Sequence, residues 1–297
     1  MVVVTVEDST LIPEGLAYYR ATNSFFVSSI HRKKIVEVDA SSGEARDFIA
    51  TGQNGFAGGV GLKVDEKADL LYALCFSKDD TTYSTGLYIY DLKTKVLILR
   101  IREEDGEPKL FNDLVLDGRG DLYITDTERS TIWRLGKNEG KLERFYSEPE
   151  LYPNGIAVDR SNGILYLACW TKGIKALDIS TGEAESIHPT VVSSQGIDGL
   201  YFHDGSLIGI HNRDGDRIIR YQMDKTGKCI GWEIIDAGNK YFDFPTTGVL
   251  AGDVFYCIAN SQIAKLDQDH NRIKEEVALN PTYILSYELK KKKKKKK

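Results

Sequence analysis

The chain has 297 residues, of which 41% are hydrophobic and 28% charged, a size that suits one large globular unit or two average ones. Its formal charge of −5 hides an asymmetry, because residues 290–297 are eight consecutive lysines and the remainder carries −13. An acidic body excludes nucleic acid as the expected partner. The longest apolar bursts, "MVVVTV" and "VLIL", are strand-sized, so no membrane span is expected.

The lysine run cannot bury a core and is expected to be a disordered tail, leaving residues 1–289 as the folded unit. The four cysteines, Cys75, Cys169, Cys229 and Cys257, show no metal-site spacing. Three sit inside apolar strand-like runs, where a thiol behaves as a small hydrophobe. They fit a reducing compartment. A soluble protein is expected, cytoplasmic as the chain is written and secreted or periplasmic if a leader has been removed.

Taken in chain order, the predicted elements repeat. "PEGLAYYRATNSFFVSS", "GVGLKVDEKADLLYALC", "FNDLVLDGRGDLYITD", "YPNGIAVDRSNGILYLAC", "IDGLYFHDGSLIGIHN" and "TTGVLAGDVFYCIANS" each hold an apolar alternation, a polar Gly/Asp/Asn turn and a second alternation. A third run follows in each case: "KIVEVDA", "GLYIYDL", "TIWRLG", "GIKALDI", "RIIRYQM" and "QIAKLDQ". Anchoring the second strands at Phe26, Tyr72, Tyr123, Tyr166, Ile208 and Tyr256 gives spacings of 46, 51, 43, 42 and 48 residues. A period in the forties, built from short strands without an amphipathic helix, predicts a six-bladed β-propeller, with all six units in one domain. Either "VVVTVE" or "YILSYEL" is expected to complete the last blade.

In a propeller the first strand of each blade lines the central channel. Aligning the units brings one residue per blade to its top rim: Glu14, Val60, Asn112, Asn154, Asp198 and Thr247. Glu14, Asn112, Asn154 and Asp198 offer two carboxylates and two amide carbonyls, without thiolate or imidazole. That donor set suits a hard cation such as Ca²⁺ and disfavours zinc. Asn before Gly is equally a turn residue. Two carboxylates in a narrow channel have no such explanation, since they repel unless a cation lies between them.

Strand order sorts the remaining polar and aromatic residues. His203 and His270 fall on bottom turns, and His31 and His188 on top loops away from the axis. His211, ending the second strand of blade five, is placed to reach the cavity as a general base or substrate contact. Ser29, Asp126, Trp170, Asn212 and Asn260 fall near the top. Phe111, Tyr152 and Phe244 flank the rim as an aromatic collar suited to a small, partly apolar substrate. Asp113 is either a support for the Asn112 amide or a turn acid.

On "PEGL", "FNDL", "PNGI" and "IDGL", in order on separate blades, the chain resembles the SMP-30/gluconolactonase/luciferin-regenerating-enzyme-like family across residues 12–267. Blade five departs by lacking Pro before Asp198, and blade three by lacking Gly after Asn-Asp. The resemblance implies a divalent ion, Ca²⁺ or similar, held by Glu14, Asn112, Asn154 and Asp198. It further implies a hydrolase of a lactone or related ester, with Asp198 as base or nucleophile. No GxSxG elbow for a serine esterase is present. An organophosphate hydrolase on the same ion, a metal-free strictosidine-synthase-like enzyme and a non-catalytic binding propeller are the alternatives. The full oxygen-ligand set argues against the second of these. Substrate identity is left to irregular loops such as "SKDDTTYST" and "IHPTVVSSQ".

Overall fold

Six four-stranded antiparallel sheets are arranged in a ring as the blades of a β-propeller. The structure, a computed structural model, describes residues 1–78, 82–103, 107–189, 192–267 and 272–289. His270, the lysine run at 290–297 and part of each of the two loops singled out above therefore lie outside the described residues. Two short 3-10 turns, Gln53–Gly55 and Ile263–Lys265, are the helical elements among the described residues. None of the described helices is long and apolar enough to cross a membrane.

The innermost strands are Pro13–Tyr19, Gly58–Asp65, Phe111–Leu116, Pro153–Asp159, Ile197–His203 and Gly248–Ala251. Inner-blade strands such as Ser24–Ser29, Leu122–Asp126 and Ser206–His211 are buried along their whole length, so both faces of each blade must be covered by neighbouring blades. Accordingly the core is divided into one apolar layer per blade junction. Tyr19 and Phe26 of blade one meet Leu71 and Tyr90 of blade two. Phe111 and Ile124 of blade three meet Leu74 and Leu87 of blade two. The remaining four junctions follow the same plan.

Turn chemistry is equally periodic. In four blades the hairpin between the third and fourth strands is closed by an aspartate, Asp39, Asp91, Asp178 or Asp224, whose Oδ1 accepts backbone N–H bonds from the following turn. All four carboxyls are held below the usual carboxylate range, Asp178 and Asp224 chiefly by the Ser180 and Thr226 hydroxyls and then by those N–H bonds, Asp39 and Asp91 chiefly by the N–H bonds.

Blade six closes differently from the sequence expectation. The run "QIAKLDQ" does not form its third strand, since Ile263–Lys265 is a 3-10 turn. Thr282–Glu288 supplies the third strand and Val2–Val6 the fourth, so both termini, not one, complete the ring. Val4 and Val6 from the start of the chain and Ile284 from its end pack with Leu16 and Phe25 of blade one. A repeat-by-repeat reading misses this because the third strand is displaced by the Ser261–Pro281 segment, which breaks the spacing.

Ile284 is fully buried at this closure. Ile284→Ala is expected to cost about 2–5 kcal/mol. Urea unfolding should show a lower midpoint with an unchanged slope.

Candidate functional site in the channel

Glu14, Asn112, Asn154 and Asp198 occupy equivalent positions near the start of four inner strands, and each lies in a break of the ladder. Register slips between Pro13 and Leu16, Gly59 and Leu62, Phe111 and Leu114, Pro153 and Ile156, and Ile197 and Leu200. Two residues in each of these five blades are thus released from regular pairing. A bulge bends the strand and re-aims a side chain, and here the first released residue is the rim residue.

The second released residue explains the recurring glycine. A Cβ on Gly15 would lie 2.0 Å from the Val60 carbonyl oxygen, and one on Gly155 would lie 2.3 Å from that of Asp198. Neighbouring blades touch backbone to backbone at this level, which only glycine permits. Blade three alone carries a side chain there. Asp113 accepts hydrogen bonds from the N–H groups of Leu114 (2.8 Å) and Ile156 (3.1 Å), spanning blades three and four beside both asparagines. Burial raises its pKa to about 6, partly offset by those bonds and by the Lys63 ammonium.

Hydroxyl groups stitch the released backbones together. Ser28 Oγ accepts from Gly15 N–H (2.8 Å) and donates to the Val60 carbonyl (2.6 Å). Thr125 Oγ1 accepts from Asp113 N–H (2.9 Å) and donates to the Asn154 carbonyl (2.8 Å). Thr247 donates to the Glu14 carbonyl, closing the ring between blades six and one.

Amide orientations follow from donor bookkeeping. Thr127 donates its only hydroxyl proton to the Pro153 carbonyl (2.7 Å), so it accepts from Asn112 Nδ2 (3.0 Å) and leaves Asn112 Oδ1 as the available acceptor. Asn212 Nδ2 donates to Asp198 Oδ2 (2.5 Å) and the Pro245 carbonyl (3.1 Å). Asn212 Oδ1 is buried with no hydrogen-bond partner among the described residues.

The electrostatics mark Glu14 and Asp198 as one unit. Burial, and then repulsion from Asp198, raise Glu14 well above its usual value, against a hydrogen bond from Thr246. Burial raises Asp198 to about 7, with bonds from Asn212 and Asn154 opposing it and Asp113 adding to it. Two neighbouring acids with raised proton affinity, Asp198 buried and Glu14 partly so, lie beside an oriented amide oxygen and an orphaned acceptor and fit an oxygen-seeking divalent cation. Among the described residues no three His, Cys, Asp or Glu side chains form a metal-binding group by themselves. Any such site therefore draws on the amides.

The other predicted positions divide. Asn212 touches Asp198. Tyr152 is half-exposed on its top loop with φ 43°, and its carbonyl accepts from Trp170 N–H. Phe244, with φ 65°, is fixed by its N–H bond to Asp216. Phe111 is fully buried in the layer between blades two and three and is not part of a collar. Asp126 is consumed by the N–H groups of Leu110 and Arg129 and by the Trp133 indole. His203 pairs with Asp253 at 3.3 Å, and His188 is exposed.

His211 is corrected as a general base. It is completely buried, with Nδ1 bonded to the Gln195 carbonyl (3.1 Å) and Nε2 to the Tyr221 hydroxyl (2.8 Å). A carbonyl only accepts, so Nδ1 carries the proton, and the single Tyr221 hydroxyl proton lies between His211 Nε2 and the Ser193 carbonyl (3.0 Å). Both nitrogens are occupied, and burial drives the pKa down to about 3. Thr127 and Thr246 were missed by sequence reasoning, which placed Thr247 on the rim but gave it no partner. "TDT" and "PTT" carry no distinguishing pattern, and only the junctions between blades give those hydroxyls their partners.

A second cavity of about 930 Å³ opens at the other end of the channel, lined by first-to-second strand turns and reaching Lys63, Asp113 and Tyr201.

A six-bladed propeller with paired acids and oriented amides at one mouth of its channel defines the class of protein. Residues 12–230 match the SMP-30/Gluconolactonase/LRE-like region, so the chain belongs to that family. A gluconolactonase from Xanthomonas campestris is similar in structure, with 15% identity, 86% of each chain covered and a TM-score of 0.64. Regucalcin from Agrobacterium tumefaciens, described as a calcium-binding protein, shows 18% identity over 98% of this chain and 96% of its own, with a TM-score of 0.64. The major allergen of Malassezia sympodialis shows 14% identity over 95% of each chain and a TM-score of 0.66. At these identities the likeness is one of fold. No curated protein sequence matches the chain.

His211 yields a pH prediction. Its depressed pKa contributes stability that is present above the ordinary value of 6.5 and is lost as pH falls towards 3. Thermal midpoints measured across this window should fall more steeply for the parent than for His211→Gln. A parallel acid limb in the two proteins would contradict the buried neutral state.

Proposed function

We propose that the protein is a metal-dependent hydrolase of a lactone or related ester, with Ca²⁺ held by Glu14, Asn112, Asn154 and Asp198. The observation that carries this reading is the coupled Glu14–Asp198 pair with oriented amides beside it, in a chain of the SMP-30/gluconolactonase family. The gluconolactonase and the calcium-binding regucalcin of the same fold add support. A bound divalent ion would supply Lewis-acid polarisation of the substrate carbonyl and stabilise its developing oxyanion.

The chain's own groups supply the rest. Asp198, with Oδ2 held by Asn212, is the acceptor for a proton from attacking water. Glu14 is anchored through its backbone to Thr247. Thr127 keeps the Asn112 carbonyl oxygen turned away from its own hydroxyl. Half-exposed Tyr152 is left as the collar residue nearest solvent. A phosphoryl oxygen could take the place of the carbonyl, so an organophosphate belongs on the same substrate panel.

Aliphatic and sugar lactones incubated with chelator-treated protein should be turned over only after Ca²⁺ is restored. Asp198→Asn should lower kcat/KM by about 100- to 10,000-fold. No turnover in either metal state would leave a different substrate class or a binding propeller. A separate test concerns the ion alone. Protons and cation compete for Asp198, whose pKa is near 7, so the rise in thermal midpoint on adding Ca²⁺ should be larger at pH 8 than at pH 6. Thr127→Val should weaken that shift, reflecting an affinity loss of about 10- to 100-fold. An unmoved midpoint in the parent would remove the metal site.

A further inference from the structure

The outermost strand of a propeller blade has one unpaired edge, and soluble proteins protect such edges with charge or brevity. Five of the six outer strands here are protected in that way. Ala45–Ile49 exposes Arg46 and Asp47, Leu97–Glu103 exposes Arg100 and Arg102, and Glu143–Ser147 exposes Glu143 and Arg144. Ala184–Ile187 and Val2–Val6 have four and five residues.

Cys229–Ala237 in blade five breaks the rule. Its nine residues, "CIGWEIIDA", contain no cation and expose Ile230 (64%), Trp232 (37%) and Ile234 (53%). Its central charge, Glu233, is already paired with Arg220 on the adjacent strand at 2.9 Å. Trp232 and Ile234 stand opposite Tyr221 and Ile219, whose side chains belong to the apolar layer facing blade four. Cross-strand neighbours share a face, so these two residues carry that layer past its rim into solvent. Ladder irregularities at Ile218/Ile219 and Gln222/Met223 frame the regular stretch between Gly231 and Ile234.

We propose that two copies of this chain pair antiparallel through the outer strands of their fifth blades, on a two-fold axis at Trp232. The strand is self-complementary in that register and in no adjacent one. Ile230 stands opposite the partner's Ile234, Trp232 meets its own copy, and exposed Lys228 comes opposite the partner's Asp236. Asp236 is suited to this, because its bonds from Asn239 and the Tyr287 hydroxyl both end on Oδ2 and leave Oδ1 free. Moving the axis to Glu233 sets two carboxylates face to face, and moving it to Gly231 loses the aromatic pair. The two four-stranded blades become one eight-stranded sheet, and the isologous contact closes on itself as a dimer. Both channel sites stay outside the contact.

Sedimentation of the full chain from low micromolar to several hundred micromolar should show the mass rising from the 33.3 kDa monomer towards twice that value. Ile234→Lys, a surface change, should raise the dissociation constant at least tenfold with an unaltered far-ultraviolet circular dichroism spectrum. Register is read by crosslinking. Oxidised Trp232→Cys should give a covalent dimer, whereas Ile230→Cys, which faces the partner's Ile234, and the parent, whose Cys229 faces the partner's Ile235, should not. A monomer at every concentration overturns the proposal, as does a dimer that survives Ile234→Lys or a crosslink that forms at 230 and not at 232.

Discussion

The interrupted ladder at the top of five of the six inner strands is the constraint on which the rest of the molecule depends. Releasing two residues from strand pairing leaves backbone groups that must find other partners in a buried place. The partners come from the next blade. Ser28 and Thr125 each bind an N–H of their own blade and a carbonyl of the following one, and Thr247 reaches across the closure to Glu14. The hydrogen bonds that hold the ring at its narrowest level are therefore those that aim the rim residues at the axis. Site and fold share one set of interactions.

This coupling accounts for a pair of acids in a place that is costly to charge. Glu14 is tied through its carbonyl to Thr247, and the peptide after Asp198 through Gly199 N–H to the Thr246 carbonyl, so the backbone that carries each acid is held in place. Burial is the main cause of the raised proton affinity of both, with repulsion from Asp198 adding to it at Glu14 and repulsion from Asp113 at Asp198. The proposed cation would meet groups already in place and would need little reorganisation to bind. Asp113 belongs to the same frame. Where the other five blades place glycine, blade three places a carboxylate that binds the amide beyond Asn154. It acts as a brace between two blades, while the Asn112 amide itself is held by Thr127.

The repeat was legible because physical necessity acts on every blade alike. Both faces of each blade are covered, which keeps apolar residues on both sides of the strands, and backbone-to-backbone contact at the channel selects glycine after the rim residue in five blades. Glu14, Asn112, Asn154 and Asp198 could be aligned because they share those neighbours. The failures arose where one blade departs from the others. Ile263–Lys265 has the alternation of a strand but sits in an excursion that delays the true third strand to Thr282–Glu288. Phe111 was placed by sequence distance from the rim, but its side chain turns into the layer between blades.

His211 shows the limit most clearly. Its position at the end of a second strand was correctly read as near the top of blade five, yet its direction depends on Tyr221 and Gln195, ten and sixteen residues away. Sequence alone determined the number of blades, the order of the rim residues and the oxygen-only donor set, because these follow from local alternation and residue chemistry. Only the tertiary structure decided which side chains face the channel, which amide oxygens are free and how the termini close the ring. Those outcomes depend on hydrogen bonds between blades, and such partners leave no periodic trace along the chain.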